Sequence, residues 1–158
     1  MPKYKQLDAL NQVAEFHTTF NHPILDTPTI PSKERCELRV SLLQEELNEL
    51  KEAIADNNLV EIADALCDLQ YVLSGAVLEF GLAEKFPELF DEVQKSNMSK
   101  ACKNNEEAEL TQESYKNQGI TTTTETIGNV IIIKRYPDNK ILKNVNYSSA
   151  QLADILNK

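Results

Sequence analysis

Basic residues are scarce in this sequence, which has 16 Lys and Arg against 25 Asp and Glu and a formal net charge of −9. A protein that binds the phosphate backbone of a nucleic-acid polymer needs a basic face. The composition therefore argues against a nucleic-acid polymer as partner. It does not exclude a small substrate that carries phosphate, because a metal ion can supply the positive charge.

Cysteine is also sparse: Cys36, Cys67 and Cys102 are widely spaced, and no CxxC pair occurs. This spacing gives no support to a disulfide framework or a zinc site, and buried reduced thiols are the simplest interpretation. The N-terminus has no apolar signal segment, and no apolar run approaches the ~18 residues of a membrane-spanning helix. We therefore expect a cytoplasmic protein with no membrane partner.

The spacing of apolar residues predicts a mainly helical chain. The predicted helices run over 6–20, from Ser32 to about Ile54, over 59–80 and from Pro87 onward. A loop with three prolines covers 21–31, and "ADNN" at 55–58 makes a short turn. Ser32 is a good N-cap, and Gly81 is a plausible helix end.

The character of the chain changes after residue 103. The polar segment 103–118 predicts a loop or a weakly packed helix, and the segment that follows is rich in β-branched residues. With "PDNK" as a turn signal, we expect a β-hairpin roughly over 128–143 and a short C-terminal helix. The predicted fold is a helical bundle over 1–103, with a polar insertion, a small C-terminal β-hairpin arm and a short helix over 104–158 in the same domain.

The stretch "QEELNEL" places acidic residues at the edge of a predicted apolar stripe. At about 100° per residue, Glu46 and Glu49 lie beside the stripe of Leu43, Leu47 and Leu50. Glu45 points further out. A solvated charged face accounts less well for Glu46 and Glu49 than for the other acids of this helix.

The next helix contains a second acidic set, although it is apolar on almost every side. Glu61, Asp64 and Asp68 fall within a band about 60° wide. Such a cluster is costly without a partner, because like charges repel and burial disfavours ionisation. A divalent cation removes that cost, and oxygen ligands suit Mg²⁺ or Mn²⁺. A salt-bridged or solvent-facing stripe is the alternative; a di-iron site is disfavoured because His17 and His22 lie outside both acidic segments.

At these residues the sequence resembles the all-α nucleotide pyrophosphohydrolases, which include MazG-like proteins, phosphoribosyl-ATP pyrophosphohydrolase and dimeric dUTPases. Their EExxE…ExxD signature is matched by Glu45, Glu46 and Glu49, an eleven-residue spacer, then Glu61 and Asp64. "VAEFHTTFNHPI", "LFDEVQKSNMSK" and "KILKNVNY" resemble further elements of one subgroup common in phages and bacteria. The resemblance covers most of residues 10–147, and 103–127 looks like an insertion.

The resemblance implies an all-α NTP pyrophosphohydrolase fold that assembles as a homodimer or a dimer of dimers. It implies cleavage of a nucleoside triphosphate between the α- and β-phosphates, with Mg²⁺ as cofactor and Mn²⁺ as the alternative. Phosphoribosyl-ATP pyrophosphohydrolase and a non-catalytic nucleotide- or metal-binding dimer are the other functions of this fold that we consider. The implied metal ligands are Glu46, Glu49, Glu61 and Asp64, with Asp68 as a further candidate. Glu45 and Glu46 are the candidates for general base.

The same resemblance implies a set of substrate-binding residues. Asn97 and Lys100 in "SNMSK" would contact phosphate, ribose or base. His17, Phe20 and the neighbouring Phe16 would line the base pocket, and Arg39 would contact phosphate. Each of these residues also has an ordinary structural interpretation, as a core aromatic, a satisfied histidine, an exposed helical arginine or a helix-end lysine.

Overall fold

The computed structural model describes residues 4–158. These residues form, in chain order, α1 (Ala9–Thr19), α2 (Lys33–Ala55), α3 (Leu59–Glu79), α4 (Phe86–Met98), α5 (Asn105–Asn117), β1 (Thr122–Ile127), β2 (Val130–Arg135) and α6 (Leu152–Leu156). The predicted mainly α class with a small antiparallel hairpin is confirmed. The chain divides into two compact units, Met1–Phe86 and Pro87–Lys158, whereas the sequence pattern places the division at 103/104. No helix within residues 4–158 is both long and apolar enough to cross a membrane.

The first unit is built on the hairpin of α2 and α3, and α1 packs on α3. Ser32 begins α2, because its side-chain oxygen accepts a hydrogen bond from the amide of Arg35 at 3.4 Å. Asn57 takes a φ of 52°, in the left-handed region that asparagine tolerates. Asn58 then caps α3, its Oδ1 accepting from the amides of Val60 at 3.1 Å and Glu61 at 3.3 Å. The turn between the two long helices is therefore only three residues, 56–58.

The proline-rich loop lies against the C-terminal end of α3. The amides of Leu25 and Thr29 donate to the carbonyl oxygens of Leu78 and Phe80 at 3.1 and 3.0 Å. Gly81 has a φ of 64°, and a Cβ there would lie 1.9 Å from the carbonyl oxygen of Thr27. Glycine is thus required at 81 by both backbone conformation and close approach.

The buried apolar positions of the first unit are mostly small, and large apolar side chains of the same helices remain exposed. Leu59, Leu66 and Leu73 are 77%, 52% and 42% exposed. Because they lie seven residues apart, close to two helical turns, they share one face of α3. We call these three residues the leucine ridge. They lie on the opposite side of α3 from the stripe of Glu61, Asp64 and Asp68.

The core of the second unit lies on one face of β2. Ile131 and Ile133 are buried there with Cys102, Ala108 and Leu142. β1 pairs antiparallel with β2 from Thr122 opposite Arg135 to Ile127 opposite Val130. All residues of β1 except the half-buried Thr122 are exposed. The hairpin therefore has one buried face, on β2, and a threonine-rich outer strand, β1.

The predicted position of the hairpin turn is wrong. The turn lies at Gly128 and Asn129, between strands that span 122–135, and not at "PDNK" in a hairpin over 128–143. Gly128 has a φ of 58°, which a tight hairpin turn needs. "PDNK" forms a separate turn, held by the ion pair of Arg135 with Asp138, after which Ile141 makes a single bridge with Lys134.

The polar segment 103–118, for which the sequence predicts a loop or a weakly packed helix, contains α5. Asn104 caps the helix, its Oδ1 accepting from the amide of Glu107 at 2.9 Å. Ala108 and Thr111, three residues apart, turn towards the core and are buried. Tyr115, one turn further along, packs partly buried against the same core. A few positions on one face therefore hold a helix that is otherwise mostly polar.

Candidate functional site

The three-residue turn determines which residues of α2 and α3 face each other. In an antiparallel hairpin, residues at equal distance from the turn lie at the same level along the helices. Counting from Asn57, Arg35 and Glu79 are each 22 residues away, and Arg39 and Gly75 are each 18 away. Both contacts are present: Arg35 pairs with Glu79, and the Arg39 guanidinium lies against Gly75. The same count places Glu46 and Asp68, each eleven residues from Asn57, opposite one another.

Glu46 is a half-buried carboxylate in an acidic environment. Its Oε2 is buried and has no hydrogen-bond partner within residues 4–158. Burial raises the pKa of Glu46, and the negative charges of Asp68, Glu49, Glu45 and Asp64 raise it further, in that order of effect. The facing helices therefore bring five carboxylates together: Glu45, Glu46, Glu49, Asp64 and Asp68, which we call the acidic cluster.

Asp68 has a more central place in the acidic cluster than the sequence signature indicates. It is half-buried and has the largest charge effect on the pKa of Glu46, whereas Glu61 is exposed and is not among the four charges that raise this pKa most. Glu61 is four residues from Asn57, level with Ala53, and lies one helical turn before Asp64 on the same face. The three predicted ligands of α3, Glu61, Asp64 and Asp68, thus form a row along that helix. Asp68 is at the end of the row that faces Glu46.

The chemistry of the acidic cluster fits a hard divalent cation. Carboxylate oxygens are the ligands that Mg²⁺ and Mn²⁺ prefer, and the buried Oε2 of Glu46 is an acceptor without a donor. Within residues 4–158, no three His, Cys, Asp or Glu side chains are arranged closely enough to hold a metal ion as they stand. The exposed side chains of Glu45, Glu49 and Asp64 have the rotamer freedom to converge on a cation. The ligand set remains a prediction.

A buried ionic network lies further along the same hairpin. Glu79 is 1% exposed and accepts hydrogen bonds from both Arg35 and Arg39. Burial alone would raise the pKa of the Glu79 carboxyl, but the two guanidinium groups outweigh it and lower that pKa. The sequence pattern did not lead us to predict a role for Glu79. One feature of the sequence could have indicated it: Glu79 is a lone carboxylate at the end of an apolar helix, level with two arginines that lie one turn apart on the facing helix.

His17 and Arg39, both predicted to bind substrate, belong to this network. His17 is 2% and Arg39 is 6% exposed. The His17 Nδ1 lies 2.8 Å from the carbonyl oxygen of Pro23, and its Nε2 lies 3.4 Å from the Arg39 guanidinium. Contact with a substrate would require both side chains to become accessible, so their visible role is to join α1, α2 and α3.

Phe20, which is also predicted to bind substrate, is exposed and belongs to a group of rings. The Phe16 ring lies 4.4 Å from that of Phe20, stacks on His22 at 5.8 Å and meets Tyr71 edge-on at 5.6 Å. Tyr71 follows Asp68 by three residues on α3, so it lies one helical turn from the acidic cluster on the same face. We call Phe16, Phe20, His22 and Tyr71 the aromatic group.

Asn97 and Lys100, the other predicted substrate-binding residues, belong to the second unit. They lie at the C-terminal end of α4, where the Lys100 ammonium donates to Asn97 Oδ1 at 2.7 Å. A lysine at this end also interacts favourably with the helix dipole. Their substrate role remains a prediction.

The helical part of the chain is similar to known proteins. A family model described as phosphoribosyl-ATP pyrophosphohydrolase matches residues 13–97, which is more than half of the chain and includes the whole acidic cluster. An uncharacterized protein of Acanthamoeba polyphaga mimivirus is 33% identical over 100 residues, which is 58% of this chain and 38% of that relative. The chain therefore matches well under two thirds of the relative's length.

Proposed function

The chain belongs to the phosphoribosyl-ATP pyrophosphohydrolase family, within the MazG-like all-α pyrophosphohydrolase superfamily, and we propose that it hydrolyses a nucleotide between the α- and β-phosphates with Mg²⁺. The products would be a nucleoside monophosphate and pyrophosphate. The observation that carries this proposal is the buried, unpartnered oxygen of Glu46 among four further carboxylates. Such a cluster is costly by itself and becomes favourable when it binds a cation.

The residues that would hold Mg²⁺ are Glu46, Glu49, Glu61 and Asp64, with Asp68 added because it faces Glu46. Mn²⁺ has the same preference for oxygen ligands. When bound, the metal offsets phosphate charge, orients the α-phosphate and lowers the pKa of a water.

The carboxylates of the chain have the chemistry for proton transfer at this site. Hydrolysis forms a bond from a water oxygen to the α-phosphorus and breaks the bridge to the β-phosphate, so one proton must leave the water. Glu45 or Glu46 would accept it. Glu46 is suited because its buried Oε2 has no hydrogen-bond donor within residues 4–158; Glu45 is suited because it is exposed and free to approach the water.

The aromatic group supplies a surface for the base of the nucleotide. Phe16, Phe20 and Tyr71 keep accessible ring area, and Tyr71 lies one helical turn from Asp68 of the acidic cluster. Aromatic rings stack on a nucleobase, a contact worth about 1–3 kcal/mol per base. His17 and Arg39 would support this surface from the interior of the first unit. For Asn97 and Lys100 we propose the substrate role that the family resemblance implies.

Phosphoribosyl-ATP is a second candidate substrate, because the description of the matching family names it. It is itself a nucleoside triphosphate derivative, so the same bond would be cleaved. A non-catalytic binding dimer is the remaining alternative, and it predicts metal-dependent binding without turnover.

One assay separates these functions. The protein is incubated with Mg²⁺, a panel of nucleoside triphosphates and phosphoribosyl-ATP, and the release of pyrophosphate and monophosphate is measured. We expect release from at least one nucleotide and its loss in Glu49→Gln and Asp64→Asn. Glu52→Gln, an exposed neighbour outside the acidic cluster, is the matched control. If no nucleotide releases pyrophosphate and Mg²⁺ causes no thermal shift, both hypotheses are excluded: the pyrophosphohydrolase and the non-catalytic binding dimer.

A second copy of the chain is the partner that we propose. The leucine ridge exposes three large apolar side chains on the face of α3 away from the acidic cluster. Its spacing of seven residues suits packing against another helix. A homodimer or dimer of dimers would cover the leucine ridge and leave the acidic cluster open to a nucleotide. The cytoplasmic location stays a prediction, in keeping with three free cysteines.

A further inference from the structure

In the second unit, the segment after β2 is tied to the C-terminal end of α4. Asn144 donates its side-chain amide to the carbonyl oxygens of Ser99 and Ala101 at 2.9 and 2.7 Å. The hydroxyls of Tyr147 and Ser96 are 2.9 Å apart. Asn144 and Ser96 are buried, so these contacts are sheltered from water. The positions of Lys143 and Tyr147 are therefore determined by the fold.

A cavity of about 320 Å³ opens between this segment and α5. Its polar lining includes Ser114 and Tyr115 from α5, Gln118 just after that helix, and Lys143 and Tyr147 from the segment. Among residues 4–158, none of the 25 acidic residues of the chain contributes to this lining. A volume near 300 Å³ is at the lower end of the range for ligand pockets. The lining thus combines one cation, several hydroxyls and two side-chain amides, with no carboxylate from residues 4–158.

The charge of Lys143 is available for a ligand. Its ammonium lies 4.2 Å from the centre of the Tyr147 ring, and no carboxylate of residues 4–158 lies within 4.0 Å of it. The hydrogen bond with Ser96 lowers the pKa of the Tyr147 hydroxyl, and the positive charges of Lys143 and Lys100 lower it further. Around Tyr147 the local field is therefore positive, although the chain as a whole carries a net charge of −9.

We propose that this cavity is a phosphate site, which binds an anion of the kind found in inorganic pyrophosphate or in the phosphate tail of a nucleotide. Lys143 is the charged donor, and the hydroxyls of Ser114 and Tyr147 are the neutral donors. The side-chain amide of Gln118 donates to the Ser114 carbonyl oxygen at 3.1 Å and lies beside them. An ammonium is a compact point charge that binds phosphate well. The site lies within the second unit and needs neither the acidic cluster nor turnover, so the inference goes beyond the proposed function.

The test is binding of inorganic pyrophosphate measured by calorimetry in EDTA, which removes divalent metals from the acidic cluster. Lys143→Met keeps the length of the exposed side chain and removes its charge, and we expect it to weaken binding about tenfold or more, as for loss of one charge-assisted hydrogen bond. Lys116→Met, an exposed lysine of α5 that does not line this cavity, is the matched control and leaves binding unchanged. Ser114→Ala is a second variant, with a smaller loss.

Three ligands distinguish a phosphate site from a base site. Adenosine triphosphate and inorganic pyrophosphate bind and compete with each other, and adenosine does not bind. Equal binding of pyrophosphate to the wild type and Lys143→Met overturns the proposal, as does no binding at millimolar pyrophosphate or equal binding of adenosine. Glu49→Gln keeps pyrophosphate binding in EDTA even if it abolishes hydrolysis, so failure of the phosphate site and failure of the proposed function give different results.

Discussion

Glu46 is a single residue at which the free energy of folding and the proposed function make opposite demands. Its buried Oε2 lacks a hydrogen-bond partner within residues 4–158, and four negative charges act on it. A buried polar atom without a partner destabilises a fold by roughly 1–3 kcal/mol. A fold retains such a cost where function requires the group.

Replacing Glu46 with Gln should therefore separate stability from activity. In EDTA we expect a higher melting temperature than wild type, because one of five crowded charges is removed. With Mg²⁺ and nucleotide we expect pyrophosphate release to fall by about 10²-fold or more, since a ligand or base is lost. Glu52→Gln, outside the cluster, should change neither. A variant with lower stability in EDTA and full activity would contradict the role given to Glu46.

Gly75 is a second position where a single added atom should change the stability of the fold. A Cβ there would lie 2.6 Å from Arg39 Nη1 and 3.0 Å from His17 Nε2. Glycine to alanine normally stabilises a helix by about 1 kcal/mol. In Gly75→Ala we expect the opposite, a loss of about 1–3 kcal/mol in the free energy of urea unfolding, because the buried side chains must shift. A gain in stability would mean that Arg39 moves aside at little cost.

At the scale of elements, the hairpin of α2 and α3 was largely predictable from the sequence. Ser32, "ADNN" and Gly81 mark its limits, and counting outward from Asn57 pairs Arg35 with Glu79, Arg39 with Gly75 and Glu46 with Asp68. The signature spacing favours Glu61 and Asp64 on α3, with Asp68 as a further candidate, and this choice of ligands stays a prediction. A signature describes residues along one helix, whereas the facing of two helices depends on their distance from the turn.

Elements held by few buried residues were harder to predict. α5 has only Ala108 and Thr111 buried, so its apolar periodicity is weak. The hairpin was misplaced because "PDNK" is a strong turn signal that does not join β1 to β2, whereas the turn depends on Gly128. The burial of His17 and Arg39 could not be predicted from local sequence either. Arg39 pairs with Glu79, and His17 lies against Arg39, but Glu79 is 40 or more residues away from both in the sequence.

The cap of α3 gives a prediction for the turn. Asn58→Ala removes the acceptor of two helix amides and should lower the free energy of unfolding by about 1 kcal/mol. Asn57→Gly is the matched control: glycine adopts the same positive φ, so stability should change by only a few tenths of a kcal/mol. Chemical denaturation of the three proteins makes the comparison. Equal losses at both positions would show that the cap is not what stabilises the turn.

For the whole molecule, the buried network predicts a loss of stability in acid. Burial lowers the pKa of His17 from its ordinary 6.5, helped by the charges of Arg39 and His22 and opposed by the Pro23 carbonyl and Glu79. The unfolded chain therefore takes up a proton that the folded chain resists, and stability falls as the pH drops below about 6.5. The lowered pKa of Glu79 acts in the same direction: its contribution, present above the ordinary 4.5, is lost as the pH falls through the folded value.

The two histidines allow a matched test of this pH dependence. His17→Gln should show a smaller fall in urea midpoint between pH 7.5 and 5.5 than wild type, because the group that resists protonation is gone. His22→Gln, at an exposed position, should keep most of the wild-type fall, because the charge of His22 has only a small effect on the pKa of His17. Parallel curves for His17→Gln and wild type would show that other groups govern the acid response.

The leucine ridge predicts assembly of the whole molecule. Sedimentation equilibrium should give a mass at least twice the 17.8 kDa of one chain. Leu66→Lys should lower that mass, because a charge in the middle of the ridge cannot be buried against a second copy. Lys51→Glu, an exposed change on α2, serves as a control. A monomeric wild type would exclude the dimer and leave the acidic cluster unaffected.

The acidic cluster also bears on how a nucleotide would reach it. A surface rich in carboxylates draws a cloud of cations around itself and repels a free polyphosphate, most strongly in dilute salt. A nucleotide that already carries Mg²⁺ has lost part of that repulsion. The negative charge of this surface would thus slow the association of the bare nucleotide more than that of the metal–nucleotide complex. The complex would be the species that reaches the acidic cluster most often.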